Sequence, residues 1–156
     1  MENASHATPE ELSEFAGKSA LSSLGLVLLT DQISRNLNRG NDVVKVFKTY
    51  DPIALRLSKL AIKHEQDKEV KEFIKRSFFY LPLMHSEVLE DQKMCVQQFE
   101  IAMKECNTTN DEFLKFAKKH LENIDRFGRF PHRNKALGRV STPEEIRFLE
   151  EGGGFG

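Results

Sequence analysis

The sequence predicts an all-α fold, an antiparallel helical bundle or array of five to seven helices, on three observations. Apolar residues recur three and four positions apart through five long stretches. Helix-start signatures precede most of these stretches. No segment alternates apolar and polar residues as a half-buried strand would. At 156 residues the chain suits a single domain spanning its whole length, since domains most often run about 100–150 residues.

Taken in order, Thr8-Pro9-Glu10-Glu11 opens the first helix, with Thr8 as N-cap, Pro9 at the first helical position and Glu11 completing a capping box. Leu12, Ala16, Ala20, Leu24 and Leu28 then mark its buried stripe. Asp51-Pro52 starts a second helix, marked by Ala54, Leu57, Ala61 and His64. Val70, Phe73, Ser77, Phe78 and Leu81 mark a third, which Pro82 ends. Ser86 is placed to cap a fourth helix, carrying Val88, Cys95, Phe99 and Ala102. Thr109-Asn110-Asp111-Glu112 reads as a capping box for a fifth, carrying Phe113, Ala117, His120 and Ile124, and Gly128 suits its left-handed C-terminus. Pro131 holds Phe130 extended. Thr142-Pro143-Glu144-Glu145 opens a short last helix, and the glycine-rich end reads as a frayed tail.

Composition narrows the function classes. The chain is 39% hydrophobic and 30% charged with net charge −1, the balance of a soluble globular protein rather than a basic nucleic-acid binder. No apolar run approaches the ~20 residues of a membrane-spanning helix, and the N-terminus has no signal-peptide pattern, so no membrane partner and a cytoplasmic location are expected. Cys95 and Cys106 fall in one helix about 16 Å apart at about 1.5 Å per residue, too far for a disulfide. They read as two reduced thiols.

Polar residues on apolar stripes locate the candidate site. Along the fourth helix Asp91 interrupts the row Met84, Val88, Cys95, Phe99, and the neighbouring row adds His85 and Gln92. In the first, Asp31 and Arg35 follow Leu24 and Leu28 on one face, with Arg39 a turn on. Asp31 and Arg35 can pair at i, i+4, and Arg35 or Arg39 could equally reach Asp91 across the bundle. A buried carboxylate is costly unless paired, so these residues form either an interior network that fixes helix packing or the lining of a pocket.

The loop 126–139 carries Arg126, Arg129, Arg133, Lys135 and Arg139 with Phe127 and Phe130 between them. Arginine forks suit carboxylate or phosphate; the same arginines could bind helix C-terminal carbonyls and the Glu-rich last helix, and nucleic acid is unlikely because nothing extends the basic surface. His120 lies on an apolar stripe, whereas His132 sits in the arginine loop. No metal-ligand spacing, phosphate loop, nucleophile elbow or dinucleotide fingerprint is present, so no metal and no cofactor are expected. His85, Glu87 and Asp91 could meet at a metal only by tertiary accident.

Three stretches carry a resemblance. Leu-Leu-Thr-Asp-Gln-Ile-Ser-Arg-Asn-Leu-Asn-Arg-Gly at 28–40, Phe79 to Glu87 with Asp91-Gln92, and Arg126 to Asn134 with Leu137-Gly138-Arg139 resemble, in order, the motifs of the domain-of-unknown-function family numbered 924. The likeness spans about residues 24–156, with Ile33-Ser34 where the family has Phe-Pro. It implies a tetratricopeptide-like (TPR-like) all-α fold and no assigned activity. The family's usual aromatic, Trp-bearing opening is absent, and residues 1–23 stand as a divergent N-terminal helix in its place. The resemblance puts Asp31, Arg35, Arg39, His85, Glu87, Asp91, Gln92, Arg126, Arg129, His132 and Arg133 at motif positions. Two functions follow as expectations: a non-catalytic module binding a small anionic ligand or peptide through these Arg, Asp and His side chains, or a hydrolase-like small-molecule enzyme with His85 or His132 as general base.

Overall fold

Helices connected by short turns carry the described chain from Ala20 to Glu150, and no strand occurs among the described residues. The computed structural model describes Thr8, Glu11, Glu14, Ala16 and residues 18–154, with Asn41 through its backbone alone. Once stretches that run on through a wide turn are joined, the helices number nine among the described residues.

The Thr8 capping box forms: Thr8 N donates to Glu11 Oε2 at 2.7 Å and Glu11 N to Thr8 Oγ1 at 3.2 Å. Pro9, Glu10 and Leu12 lie outside the described residues. The expected first helix does not run unbroken to Leu28. At Ser19 the backbone is extended (φ −169°, ψ 161°) and its hydroxyl accepts from Ser22 N at 3.1 Å, starting a new helix, α1 (Ala20–Leu28). A serine that caps so well competes with continuing the helix.

Helix α1 passes through a π-helical turn, Leu29–Ile33, into α2 (Ser34–Leu37). A 3₁₀ turn, α3 (Val43–Lys45) and a second π-helical turn, Val46–Tyr50, lead into α4 (Asp51–Lys63). Asp51 is therefore not an N-cap. Its backbone is helical (φ −57°, ψ −46°), and the widened turn before Pro52 lies where the ladder has no proline N–H to receive.

A short helix, α5 (Gln66–Glu69), precedes the expected third helix, which is itself broken: Val70 is extended, α6 (Phe73–Ser77) and α7 (Leu81–Met84) are separate, and Pro82 stands at a helix start instead of an end. Helix α8 (Leu89–Glu105) starts from Val88, with Ser86 Oγ accepting Val88 N at 3.2 Å. Helix α9 (Glu112–Phe127) follows Asp111, which makes no side-chain cap, and lacks the expected Thr109 box; Gly128 (φ 67°) ends it. After a 3₁₀ turn at Pro131–Arg133 come α10 (Asn134–Leu137) and α11 (Pro143–Glu150), the latter with the expected Thr142–Glu145 capping box.

Helices α8 and α9 form a hairpin against α1, α4 and the 78–84 turns. Leu24, Val27, Leu57, Ala61, Phe79, Leu83, Cys95, Phe99, Ala102 and Ala117 share one core, where the Phe99 ring stacks on Phe113 at 5.8 Å. Cys95 and Cys106 are free thiols. The core encloses a charge network. Arg76 is 2% exposed, and its Nε donates to Tyr80 Oη and its Nη1 to Glu105 Oε2, each at 2.6 Å. Tyr80 Oη in turn donates to the buried Asp67 at 2.6 Å.

The glycine-rich end folds back through Gly154. Gly153 N donates to Phe148 O at 2.9 Å, and a Cβ on Gly153 would meet the Phe148 ring at 2.3 Å. No helix among the described residues is long and apolar enough to cross a membrane.

Candidate functional site

The first π-helical turn sets Asp31 beneath the chain that links α7 to α8. Asp31 is 1% exposed; its Oδ1 accepts from His85 Nδ1 at 2.7 Å and Arg35 Nε at 3.3 Å, and its Oδ2 accepts from Gln32 Nε2 at 2.5 Å. Burial alone would push the Asp31 carboxyl up. His85, through charge and hydrogen bond, outweighs it with help from Arg35 and Gln32, and the carboxyl falls from 3.8 to about 2. An ionised carboxylate can only accept, so His85 Nδ1 carries the proton. Its other ring nitrogen, Nε2, makes no hydrogen bond to the described residues.

The second π-helical turn delivers Asp51 to the same place. Arg35 Nη2 donates to Asp51 Oδ1 at 2.5 Å, so one guanidinium joins the Asp31 and Asp51 carboxylates. Asp51 Oδ2 lies 3.3 Å from Arg133 Nη1. Arg133, 6% exposed, lies over both Phe47 and Phe130, its guanidinium carbon 4.5 and 4.8 Å from the ring centroids. Burial depresses the Arg133 guanidinium from its usual range to about 10, still far above neutrality.

Asp51, His85, Glu87 and Arg133 line one cleft of about 210 Å³, whose apolar wall is Phe47, Pro52, Leu55 and Pro82. Glu87 closes its rim. It accepts from Phe130 N at 2.7 Å and from both ends of Arg139 at 2.7 and 2.9 Å. Against burial, Arg139 and the Phe130 amide hold the Glu87 carboxyl below its usual range. Asp31, Asp51 and Glu87 face Arg35, Arg133 and Arg139, so the expected arginines arrive already matched to carboxylates.

The remaining candidates lie outside the cleft lining. Asp91 pairs with Lys59 at 2.5 Å and accepts from Ser86 Oγ at 2.8 Å; neither Arg35 nor Arg39 reaches it. Gln92 Nε2 donates to the carbonyls of Leu83, Met84 and Ser86, at 3.2, 2.7 and 2.6 Å, and so ties down the turn that carries His85. Arg39 donates to Asn36 Oδ1 at the surface. Arg126 pairs with Glu144, and Arg129 makes a two-point bridge to Glu145 at 2.6 and 2.8 Å. These last two take the alternative of binding the Glu-rich final helix.

His132 lies outside the cleft lining, its ring 5.5 Å from Phe130. Burial first, then the Arg133 charge, lowers it from 6.5 to about 4. His120 is lowered to about 4 chiefly by burial; its Nδ1 donates to Phe116 O at 2.8 Å and its ring stands 6.5 Å from that of His85.

Sequence reasoning missed Asp51, Phe47 and Lys59 and left Arg139 without a role. The Asp-Pro pair at 51–52 signalled a helix start, and a π-helical turn has no sequence signature that would have corrected it. Arg139 needed its partner, Glu87, 52 positions away. Among the described residues no three His, Cys, Asp or Glu side chains gather to hold a metal ion. What remains is a small cleft with a carboxylate-held imidazole, a ring-clamped guanidinium and a carboxylate beside it. Such groups can move a proton and hold a developing negative charge.

No curated protein matches the chain. Among solved structures it is similar to that of a protein of unknown function, ATU0120, from Agrobacterium tumefaciens. The TM-score is 0.81 at 36% sequence identity, covering 96% of this chain and 78% of that one. The family model described as bacterial protein of unknown function (DUF924) matches residues 1–153, so the chain belongs to the DUF924 family.

Proposed function

We propose that the cleft is the active centre of a small-molecule hydrolase with His85 as general base. Of the two functions the sequence left open, this one is supported by a single contact, the 2.7 Å bond from His85 Nδ1 to buried Asp31. That bond fixes the tautomer and leaves Nε2 as the base. As a water oxygen bonds to the substrate carbonyl carbon, its proton passes to Nε2 and Asp31 stabilises the imidazolium. Arg133 faces the oxyanion. The bond to the leaving group then breaks with its electron pair, and the leaving oxygen or nitrogen takes the proton back from Nε2.

The test is turnover of a panel of chromogenic carboxylic esters and amides by wild type and His85→Gln. Glutamine can still donate to Asp31 but cannot act as a base, so the rate should fall at least ~100-fold, the usual range for a general base. Turnover equal in the two proteins, or none in either, removes the reading. The unpartnered Nε of Arg133 favours a second reading, a non-catalytic module holding a small anion. In that case anionic ligands would raise Tm equally in wild type and His85→Gln, with no turnover.

A further inference from the structure

Resting on the hydrolase reading of the same cleft, we infer that its substrates are esters or amides of α-amino or α-hydroxy acids, held by Arg133 at the carbonyl and by Asp51 at the α-substituent. Two buried atoms on the cleft wall lack a hydrogen-bond partner: Asp51 Oδ2, an acceptor, and Arg133 Nε, a donor. They belong to a pair matched in charge, 3.3 Å apart between Nη1 and Oδ2, that is not closed by a hydrogen bond. Asp51 cannot turn its other oxygen to the task, since Oδ1 is held by Arg35 at 2.5 Å. Arg133 is held in place, its guanidinium carbon over the Phe47 and Phe130 rings at 4.5 and 4.8 Å from their centroids.

A ligand that opens this pair must offer an oxygen acceptor to the guanidinium edge and a donor to the carboxylate. Those two groups lie on adjacent atoms in an α-amino or α-hydroxy acid. The carbonyl oxygen would sit at Arg133 before the reaction, and the product carboxylate would bridge the same fork after it. The volume argues for size. About 210 Å³ is the room of roughly seven waters at ~30 Å³ each, which admits an acid of a few heavy atoms and excludes a folded partner. Phe47, Pro52, Leu55 and Pro82 suit an aliphatic side chain. Charge argues against phosphate: Asp51 and Glu87 on the same wall would face its second negative charge.

The product side gives the test, by calorimetry on the wild-type protein with L-valine, 2-hydroxyisovalerate, isovalerate, isobutylamine and inorganic phosphate. Valine and the hydroxy acid should bind at least ten-fold tighter than isovalerate, which lacks the donor, and isobutylamine, which lacks the carboxylate. Phosphate should bind weakest. In Asp51→Asn valine should lose ten-fold while isovalerate changes less than two-fold; in Arg133→Lys both acids should lose ten-fold. Equal binding of valine and isovalerate, preference for phosphate, or no binding by any of the five overturns the inference, and none of these needs a variant to fold. The two proposals fail separately. Valine preference without His85-dependent turnover would remove the hydrolase and keep the ligand; His85-dependent turnover without that preference would do the reverse.

Discussion

Two buried charge networks lie in this molecule, and they differ in what they leave open. Asp67, Arg76, Tyr80 and Glu105 join α5, α6 and α8, with Asp67 and Tyr80 at 1% and 0% exposure and Glu105 at the surface end. Asp31, Arg35, Asp51, His85 and Arg133 are as densely paired, yet they border a cleft and include an imidazole with a nitrogen to spare. Burial of charge alone therefore does not mark a site.

Breaking the closed network should have the largest effect. Arg76→Met leaves Asp67 buried without its counter-charge, a loss of about 3–5 kcal/mol. By thermal melting Tm should fall by roughly 10 °C, since 1 kcal/mol is worth about 2–4 °C in a chain of this size. Rates at low temperature should hold. A melting loss of only a degree or two would mean that this network does not hold the helices together.

Acid should act on the cleft side first. His120 falls from 6.5 to about 4, so between these values the unfolded chain binds a proton that the folded chain refuses. Stability is then full above pH 6.5 and drops as pH falls toward 4. For His120 alone the loss by about pH 5 is about 2 kcal/mol, and His132, also lowered to about 4, acts in the same direction. Urea midpoints measured against pH should show this slope, and it should shrink in His120→Gln. Asp31 acts in a separate window. Lowered from 3.8 to about 2, it contributes stability above 3.8 that is lost as pH falls through 2.

The smaller effects sharpen the contrast from the other end. His85→Gln, which keeps a donor to Asp31, should cost at most about 1.5 kcal/mol, far less than Arg76→Met, although it removes the proposed base. Arg39→Ala, at the surface with only Asn36 as partner among the described residues, should stay within about 0.5 kcal/mol. A rate loss there would place Arg39 in the site from which the structure separates it.

Much of this was legible in one dimension. Asp31, Asp91 and Gln92 stood out because polar residues fell on apolar rows, and all three are buried. Gly128 and the Thr142 box were readable because caps are local chemistry. What could not be read depends on register or on distance. Ser19 divides an apolar row whose spacing hides the break. The two π-helical turns rotate Asp31 and Asp51 toward each other without any distinguishing residues. The arginines of the 126–139 segment look alike until helix packing assigns Glu144, Glu145, Asp51 and Glu87 among them.

The contacts that build the cleft also bear on how the chain reaches its native state. His85 meets Asp31 across 54 positions and Arg139 meets Glu87 across 52, while Asp51 waits for Arg133 from farther still. Contacts of such separation carry the loop-closure entropy of a long chain. An intermediate with the α8–α9 hairpin in place but the 126–139 segment undocked would have a core and no cleft. Whatever binds there would then select the completed fold, and its concentration would set how much of the chain escapes unfolding.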